Sequence, residues 1–239
     1  MFFRTKPVSQ YLKRIGKYDA LAFRESWKNK GIPYKQLDLA RTSLCLFNGR
    51  KPVIEFDVAV EMIKKINIAK QTILEVGCSS GYYSEVFKTS SLKLKYFGCD
   101  YSPEFIGLAK KVYTNVNFKL SDAAKLEYQS GQFDIVMLGS VLLHVVNWKK
   151  AVSEAYRVSK KYIFIHRHPV IHLFETQTFL KMGYGVKMFE IIFNEAEFLD
   201  FLYQKGLGVI SIRSYQPHEI AGIDERVFTN SYLAVKLGK

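Results

Sequence analysis

Residues 72–81, Thr-Ile-Leu-Glu-Val-Gly-Cys-Ser-Ser-Gly, constrain this chain more than any other stretch. Ile73, Leu74 and Val76 form an apolar run that is short and flanked by a glycine turn, the pattern of a buried strand. Gly77 and Gly81 follow four apart, and glycine enters left-handed backbone without a Cβ penalty. Ser79 or Ser80 is placed to cap a helix beyond the turn. The unpaired N–H groups and positive dipole end of such a helix suit an anionic ligand group.

Two other ligand-binding turns are excluded by spacing. A pyrophosphate-binding Gly-x-Gly-x-x-Gly turn needs glycine at position 79, where this chain has serine. A phosphate loop of the Gly-x-x-x-x-Gly-Lys-Ser/Thr type does not occur. A strand-to-helix turn with no ligand stays open on these residues alone.

Further signals follow in order. Residues 96–99 read as a second strand that ends at Asp100, with Ser102 and Pro103 as N-cap and first residue of the next helix. Asp100 lies about twenty residues past the glycine turn, where a carboxylate can accept hydrogen bonds from both ribose hydroxyls. Residues 116–123 give a third strand with Asp122 at its end, and the apolar run in 132–145 gives a fourth, covered on both faces.

Glu75-x-Gly77-x-x-x-Gly81, followed by these acidic strand ends, resembles the class I S-adenosylmethionine-dependent methyltransferases, specifically the small-molecule, methyltransferase-11-like group. The resemblance covers roughly residues 70–239 and implies a Rossmann-like α/β fold. Its sheet is doubly wound and seven-stranded, in order 3-2-1-4-5-7-6 with strand 7 antiparallel. It also implies S-adenosyl-L-methionine as cofactor, leaving as S-adenosyl-L-homocysteine. Glu75, Gly77, Cys78, Ser79, Gly81, Asp100, Tyr101, Ser102, Asp122, Ala123, Gly139 and Ser140 are the binding residues expected from it. In that setting Asp122 meets the adenine amino group and Ala123 offers its amide, or Asp122 caps a short helix after it. The loop from Gly139 to His144 lies under the methionine part.

The rest reads as helix 147–158, strand 161–166, helix 194–204 with an Asn194/Glu197 capping box, and two closing strands at 206–213 and 229–236. Alternating strands and helices independently require a mostly parallel, doubly wound sheet. Residues 1–55 form a basic N-terminal helical extension or cap ahead of the cofactor domain, 56–239. Helices are expected near 8–26 and 56–68, with loops at Trp27, 31–34 and Asn48-Gly49. Trp27, Tyr34 and Gln36 are candidates to line an acceptor pocket. Residues 168–193 form a substrate-lid insertion, with Arg167, His168, Tyr184 and Glu190 at the pocket mouth.

Charge is unevenly spread. Residues 1–51 carry twelve Lys/Arg against three Asp/Glu, which takes +9 of the total +13. That excess fits a solvated face, a peripheral contact with an anionic membrane, or nucleic acid, the last not favoured. No recognisable RNA-binding module accompanies it. No window reaches the ~18 uncharged apolar residues of a membrane span, the first residues lack a secretion signal, and the three cysteines and five histidines show no metal-ligand spacing. A cytoplasmic location with reduced thiols and no metal follows as the expectation.

The chemistry expected is methyl transfer to a small-molecule acceptor, such as a sugar or nucleotide-sugar hydroxyl. A faint similarity to methyltransferases of surface-polysaccharide biosynthesis, in the residues after strand five, suggests a glycan acceptor. Hydroxyl acceptors benefit from a general base, for which His144, His166 and His168 are available, while Arg167 suits an acidic substrate; His144, His168 and Arg167 are the candidate catalytic residues. An RNA or protein methyltransferase using the basic N-terminus, and a non-catalytic scaffold, remain as alternatives. Residues 138–141 lack the Asn/Asp-Pro-Pro-Tyr/Phe motif of exocyclic-amine methylation.

Overall fold

The computed structural model describes residues 9–66, 71–215 and 217–238. Its central sheet is built from β2 (Thr72–Val76), β3 (Lys95–Asp100), β4 (Asn117–Leu120), β5 (Phe133–Gly139), β6 (Ser159–Ile171), β9 (Leu207–Ser214) and β10 (Phe228–Lys236). The strands run in the order β4-β3-β2-β5-β6-β10-β9, parallel except where β10 pairs antiparallel with β6 and with β9. This is the expected 3-2-1-4-5-7-6 sheet.

Strand periodicity explains why both faces are covered. Leu74, Val76, Val136 and Leu138 join one core, whereas their neighbours Ile73, Ile135 and Met137 join another. Successive side chains of a strand point to opposite faces. α6 (Trp148–Val158) and α7 (Glu195–Gln204) fill the first side with Ala151, Val152, Ala155, Phe198 and Leu202. α3 (Ile54–Lys64) and α4 (Tyr83–Thr89) fill the second with Phe56, Met62, Ile63, Val86 and Phe87. α5 (Pro103–Val112) starts at Ser102, whose Oγ accepts from the Phe105 amide at 3.4 Å, with Pro103 as first residue, as expected.

The capping box of α7 has an extra member. Asn194 Oδ1 accepts from the Glu197 amide at 3.0 Å, but the return path runs through Thr176. The Asn194 amide donates to Thr176 Oγ1, whose hydroxyl donates to Glu197 Oε2.

Three parts depart from the sequence reading. The helix expected over 8–26 is instead β1 (Ser9–Ile15) followed by the short α1 (Lys17–Leu21). Its first position, 8, and positions 67–68 of the other expected helix lie outside the described residues. The basic-aromatic pattern of 11–18 looks helical in isolation, yet β1 finds an antiparallel partner in β7 (Gln177–Gly183), and Tyr11 packs edge-on against Phe179 at 5.9 Å. The N-terminal extension is therefore not purely helical. Next, Gly31-Ile32-Pro33 and Asn48-Gly49 bound a seventeen-residue helix, α2 (Ile32–Asn48), rather than punctuating loops. Proline in the first turn and glycine just past the end are helix-boundary signals.

The third departure concerns the expected insertion. Residues 168–193 are ordered β structure: β6 continues to Ile171, and β7 pairs with β8 (Val186–Asn194) through a two-residue turn. Tyr184 and Gly185 make that turn with φ of +54° and +87°, the left-handed pair a tight hairpin requires. β8 pairs parallel with the end of β6 at Val170 and Ile171. Strands β1, β7 and β8 thus extend the main sheet and rise beside the carboxyl ends of β2 and β5.

Candidate functional site

A cleft of about 660 Å³ opens at those carboxyl ends. Of the twelve expected binding residues, Glu75, Gly77, Cys78, Ser79, Asp100, Tyr101, Asp122, Ala123, Gly139 and Ser140 line it; Gly81 and Ser102 do not.

The glycine turn closes onto the next strand. The amides of Gly77 and Cys78 both donate to the Cys99 carbonyl, at 2.8 and 2.9 Å. Gly77 and Gly81 have φ of +74° and +81°, so the backbone requires what only glycine adopts cheaply. A Cβ on Gly77 would lie 2.6 Å from Val141, and one on Gly81 would lie 2.4 Å from Phe118. Both glycines therefore serve chain conformation and packing; the atoms they make room for belong to the protein. Gly139 is similar, since a Cβ there would lie 3.0 Å from Glu75 Oε1.

Ser79 does not cap α4, contrary to the sequence reading. It sits at φ +54° with its amide donating to Asp100 Oδ2 at 3.0 Å and its hydroxyl bonded to Gln36 of α2. Ser80 is buried, and its Oγ has no partner among the described residues. α4 begins without a side-chain cap.

Asp100 is the best-held carboxylate here. It is 7% exposed, and besides Ser79 it accepts from the Ser102 amide at 2.9 Å. Burial nevertheless lifts its pKa to about 6, because desolvation disfavours the charged form more than these amides favour it. Glu75 goes further: burial raises it to about 8, opposed by the Tyr96 hydroxyl that donates to it. Asp122 accepts from the Ala124 amide at 2.7 Å and stabilises a turn there, not a helix, while still lining the cleft. Burial raises the thiols of Cys78 and Cys99, which leaves them uncharged.

Of the catalytic candidates, two reach the cleft. His144 Nδ1 lies 2.9 Å from the Phe189 carbonyl, which can only accept, so the ring proton sits on Nδ1 and Nε2 keeps its lone pair. Burial, then the charge of Lys181, lowers its pKa to about 3, so the ring is neutral. Arg167 stands at φ +55° in a bulge, where Ser231 of β10 faces two residues of β6. Its Nε is buried without a hydrogen-bond partner among the described residues. His168 is placed elsewhere: it lies between Phe193 and Phe198, at ring distances of 4.1 and 4.0 Å, and is 1% exposed. The strand alternation across the bulge turns it into the core behind the cleft.

The opposite wall comes from the N-terminal cap and the added strands. Trp27 rests against His144 at 4.7 Å and Tyr184 at 5.7 Å, and Gln36 also lines the cleft. Tyr34, the third cap residue suggested by sequence, is 60% exposed and lies off it. Lys181 and Glu190 form an ion pair there, with side chains 12% and 7% exposed. Sequence reading placed Glu190 at the pocket but missed Lys181. The available signal was a lysine two residues from Phe179 on the inward face of an alternating strand.

The family model of the methyltransferase domain matches residues 74–164, which run from β2 into β6. A demethylmenaquinone methyltransferase of Leptospira interrogans is 34% identical over 95 residues, 37% of this chain and 38% of that protein. The chain thus spans less than half the length of the curated relatives it matches. A solved S-adenosylmethionine-dependent methyltransferase of Methanosarcina mazei shares the fold, with TM-score 0.61, 18% identity, and coverage of 74% of this chain and 98% of that one. Magnesium protoporphyrin IX methyltransferase from Synechocystis, solved with bound S-adenosylhomocysteine, also shares it, with TM-score 0.55, 16% identity, and coverage of 76% and 81%. By sheet order, by the glycine turn and acidic strand ends, and by the match over residues 74–164, the chain is similar to the class I S-adenosylmethionine-dependent methyltransferases and shares their fold.

Proposed function

We propose that the cleft binds S-adenosylmethionine and that the protein transfers its methyl group to a hydroxyl-bearing small molecule. The observation that carries this reading is Asp100: a carboxylate fixed by two backbone amides, one of them from the glycine turn itself, with its remaining lone pairs turned to a cleft of ligand size. Such a carboxylate accepts from vicinal ribose hydroxyls. In this reading Ala123 and Asp122, which line the cleft, meet the purine edge, and Gly139 and Ser140 meet the aliphatic part. A bound sulfonium supplies an electrophilic methyl carbon. The chain's own contribution is to hold both reactants in register and keep water out, which accounts for much of the acceleration in such transfers.

The acceptor end is walled by rings, Trp27, Tyr82, Tyr184 and Phe105, which suits a flat or ring-shaped molecule. A sugar or nucleotide-sugar hydroxyl is one member of that class. His144 and Arg167 face this end, and His168 has no part in it. Neutral His144, with its lone pair on Nε2, is the hydrogen-bond acceptor that this reading assigns to orient the hydroxyl. Calorimetric titration with S-adenosylhomocysteine tests the donor site: saturable binding is expected, weakened about 100-fold in Asp100→Ala, on the scale of two hydrogen bonds to a charged group. An unchanged affinity in that variant overturns the assignment.

A further inference from the structure

The added strands place an unusual group in the acceptor wall. Lys181 of β7 and Glu190 of β8 are paired and almost wholly buried, and the Tyr11 hydroxyl of β1 donates to Glu190 Oε1 at 2.5 Å. All three strands lie outside residues 74–164, the part matched by the methyltransferase domain. Fold maintenance alone is a poor reason for such a pair. Burying an ion pair costs several kcal/mol per ion in desolvation, recovered only when the remaining donors and acceptors are also satisfied. Both oxygens of Glu190 are engaged, one by Tyr11 and one by Lys181. Lys181 has three donors and uses one on Glu190; its ring contact is with Tyr11, 5.6 Å from the centroid.

The fully buried unsatisfied side-chain atoms of the cleft have one polarity. Among the described residues lining it, the buried side-chain atoms without a hydrogen-bond partner are Trp27 Nε1 and Arg167 Nε, both of which can only donate. With the spare N–H groups of Lys181, the wall offers donors and positive charge and leaves no buried acceptor unmatched. What completes it is a ligand atom rich in electrons. Burial also lowers Lys181 to about 8, so this ammonium gains by meeting a negative partner.

We infer that Lys181, held in place by Glu190 and Tyr11, is the acceptor-binding residue of this site and selects molecules whose hydroxyl ionises, phenols and enols, by binding the oxygen as its anion. The inference rests on the methyltransferase reading and narrows its acceptor from hydroxyl compounds in general to acidic ones. Glu190 and Tyr11 act as positioning residues: they orient the ammonium without meeting the ligand.

p-Nitrophenol is a direct probe, because its anion absorbs in the visible and its neutral form does not. Titrated with the whole protein at pH 6, with and without saturating S-adenosylhomocysteine, it is expected to develop the phenolate band on binding. Lys181→Met should weaken that binding at least tenfold, and Lys181→Arg should hold it within about threefold, since the charge is kept. Acetic anhydride labelling of the unaltered protein, mapped by mass spectrometry, supplies a reading that needs no folded variant. p-Nitrophenol should protect Lys181 and leave surface Lys65 unprotected. The inference is overturned if no phenolate band forms, if Lys181→Met binds the anion as tightly as the parent, or if Lys181 is not protected. Failure of S-adenosylhomocysteine to bind would strike the donor assignment instead, and the titration without it would still report on Lys181.

Discussion

The cleft has two halves that handle buried charge in opposite ways. On the donor side, Glu75 and Asp100 have no cationic hydrogen-bond partner among the described residues; a tyrosine hydroxyl and backbone amides hold them, and their pKa values rise to about 8 and 6. On the acceptor side, Glu190 meets Lys181 directly and the pair is neutral as a whole. A carboxylate held by neutral amides keeps its charge available to a polyol, whereas one neutralised by lysine does not and serves to aim its partner. The donor half is a fixed receptacle, and the acceptor half is an ion pair carried on strands outside the matched residues 74–164.

Substitutions can break that contrast. The largest effect is expected at Gly77→Ala, where left-handed backbone costs about 1–2 kcal/mol and overlap with Val141 about 1–3 kcal/mol more. Urea denaturation should show a loss of a few kcal/mol, and a loss below about 0.5 kcal/mol would refute the packing role. Next comes pH. Ribose hydroxyls bind the ionised form of Asp100, so affinity for S-adenosylhomocysteine should fall roughly tenfold between pH 7 and pH 5 as the group protonates near 6. Calorimetry at the two values decides it, and Asp100→Asn should flatten the dependence. The same raised pKa acts on the ligand-free fold with the opposite sense: the native state binds the extra proton, so this group's contribution to stability declines as pH rises from the ordinary carboxylate range through about 6.

Smaller effects sharpen the comparison from the other side. Tyr11→Phe removes one hydrogen bond to Glu190 and should cost about 1 kcal/mol of stability while leaving S-adenosylhomocysteine affinity within twofold. A large loss of that affinity would mean that the halves are not separate. Smallest is Arg14→Ala, which breaks an exposed pair with Glu175 and should shift stability by less than about 0.5 kcal/mol, seen as a nearly unchanged melting temperature.

The donor half was legible from sequence because its information is local. Gly77, Asp100 and Asp122 each lie at or within two residues of the end of a strand, so strand and turn can be read from one short window. The sheet order followed from that alternation and the family resemblance. The acceptor half depends on pairing between β1 and β7, more than 160 residues apart, which no short window reveals. Residues 11–15 have helix-compatible composition, and only β7 makes them a strand. His168 was misplaced for a related reason: the bulge at Arg167 offsets the alternation of β6, so His168 turns to the core while Arg167 reaches the cleft. Lysine at 181 was not among the sequence candidates, since its burial depends on a glutamate from the neighbouring strand.

Helix α2 touches both halves through two consecutive side chains. Gln36 is bonded to the Ser79 hydroxyl, while Lys35 donates to the Tyr184 carbonyl at the tip of the hairpin that carries Lys181. Because the helix is stiff, a ligand that shifts Ser79 also tugs on that tip. Such a yoke couples the two ends, so a ligand at either should change affinity at the other by the same factor, which calorimetric titration in both orders would measure.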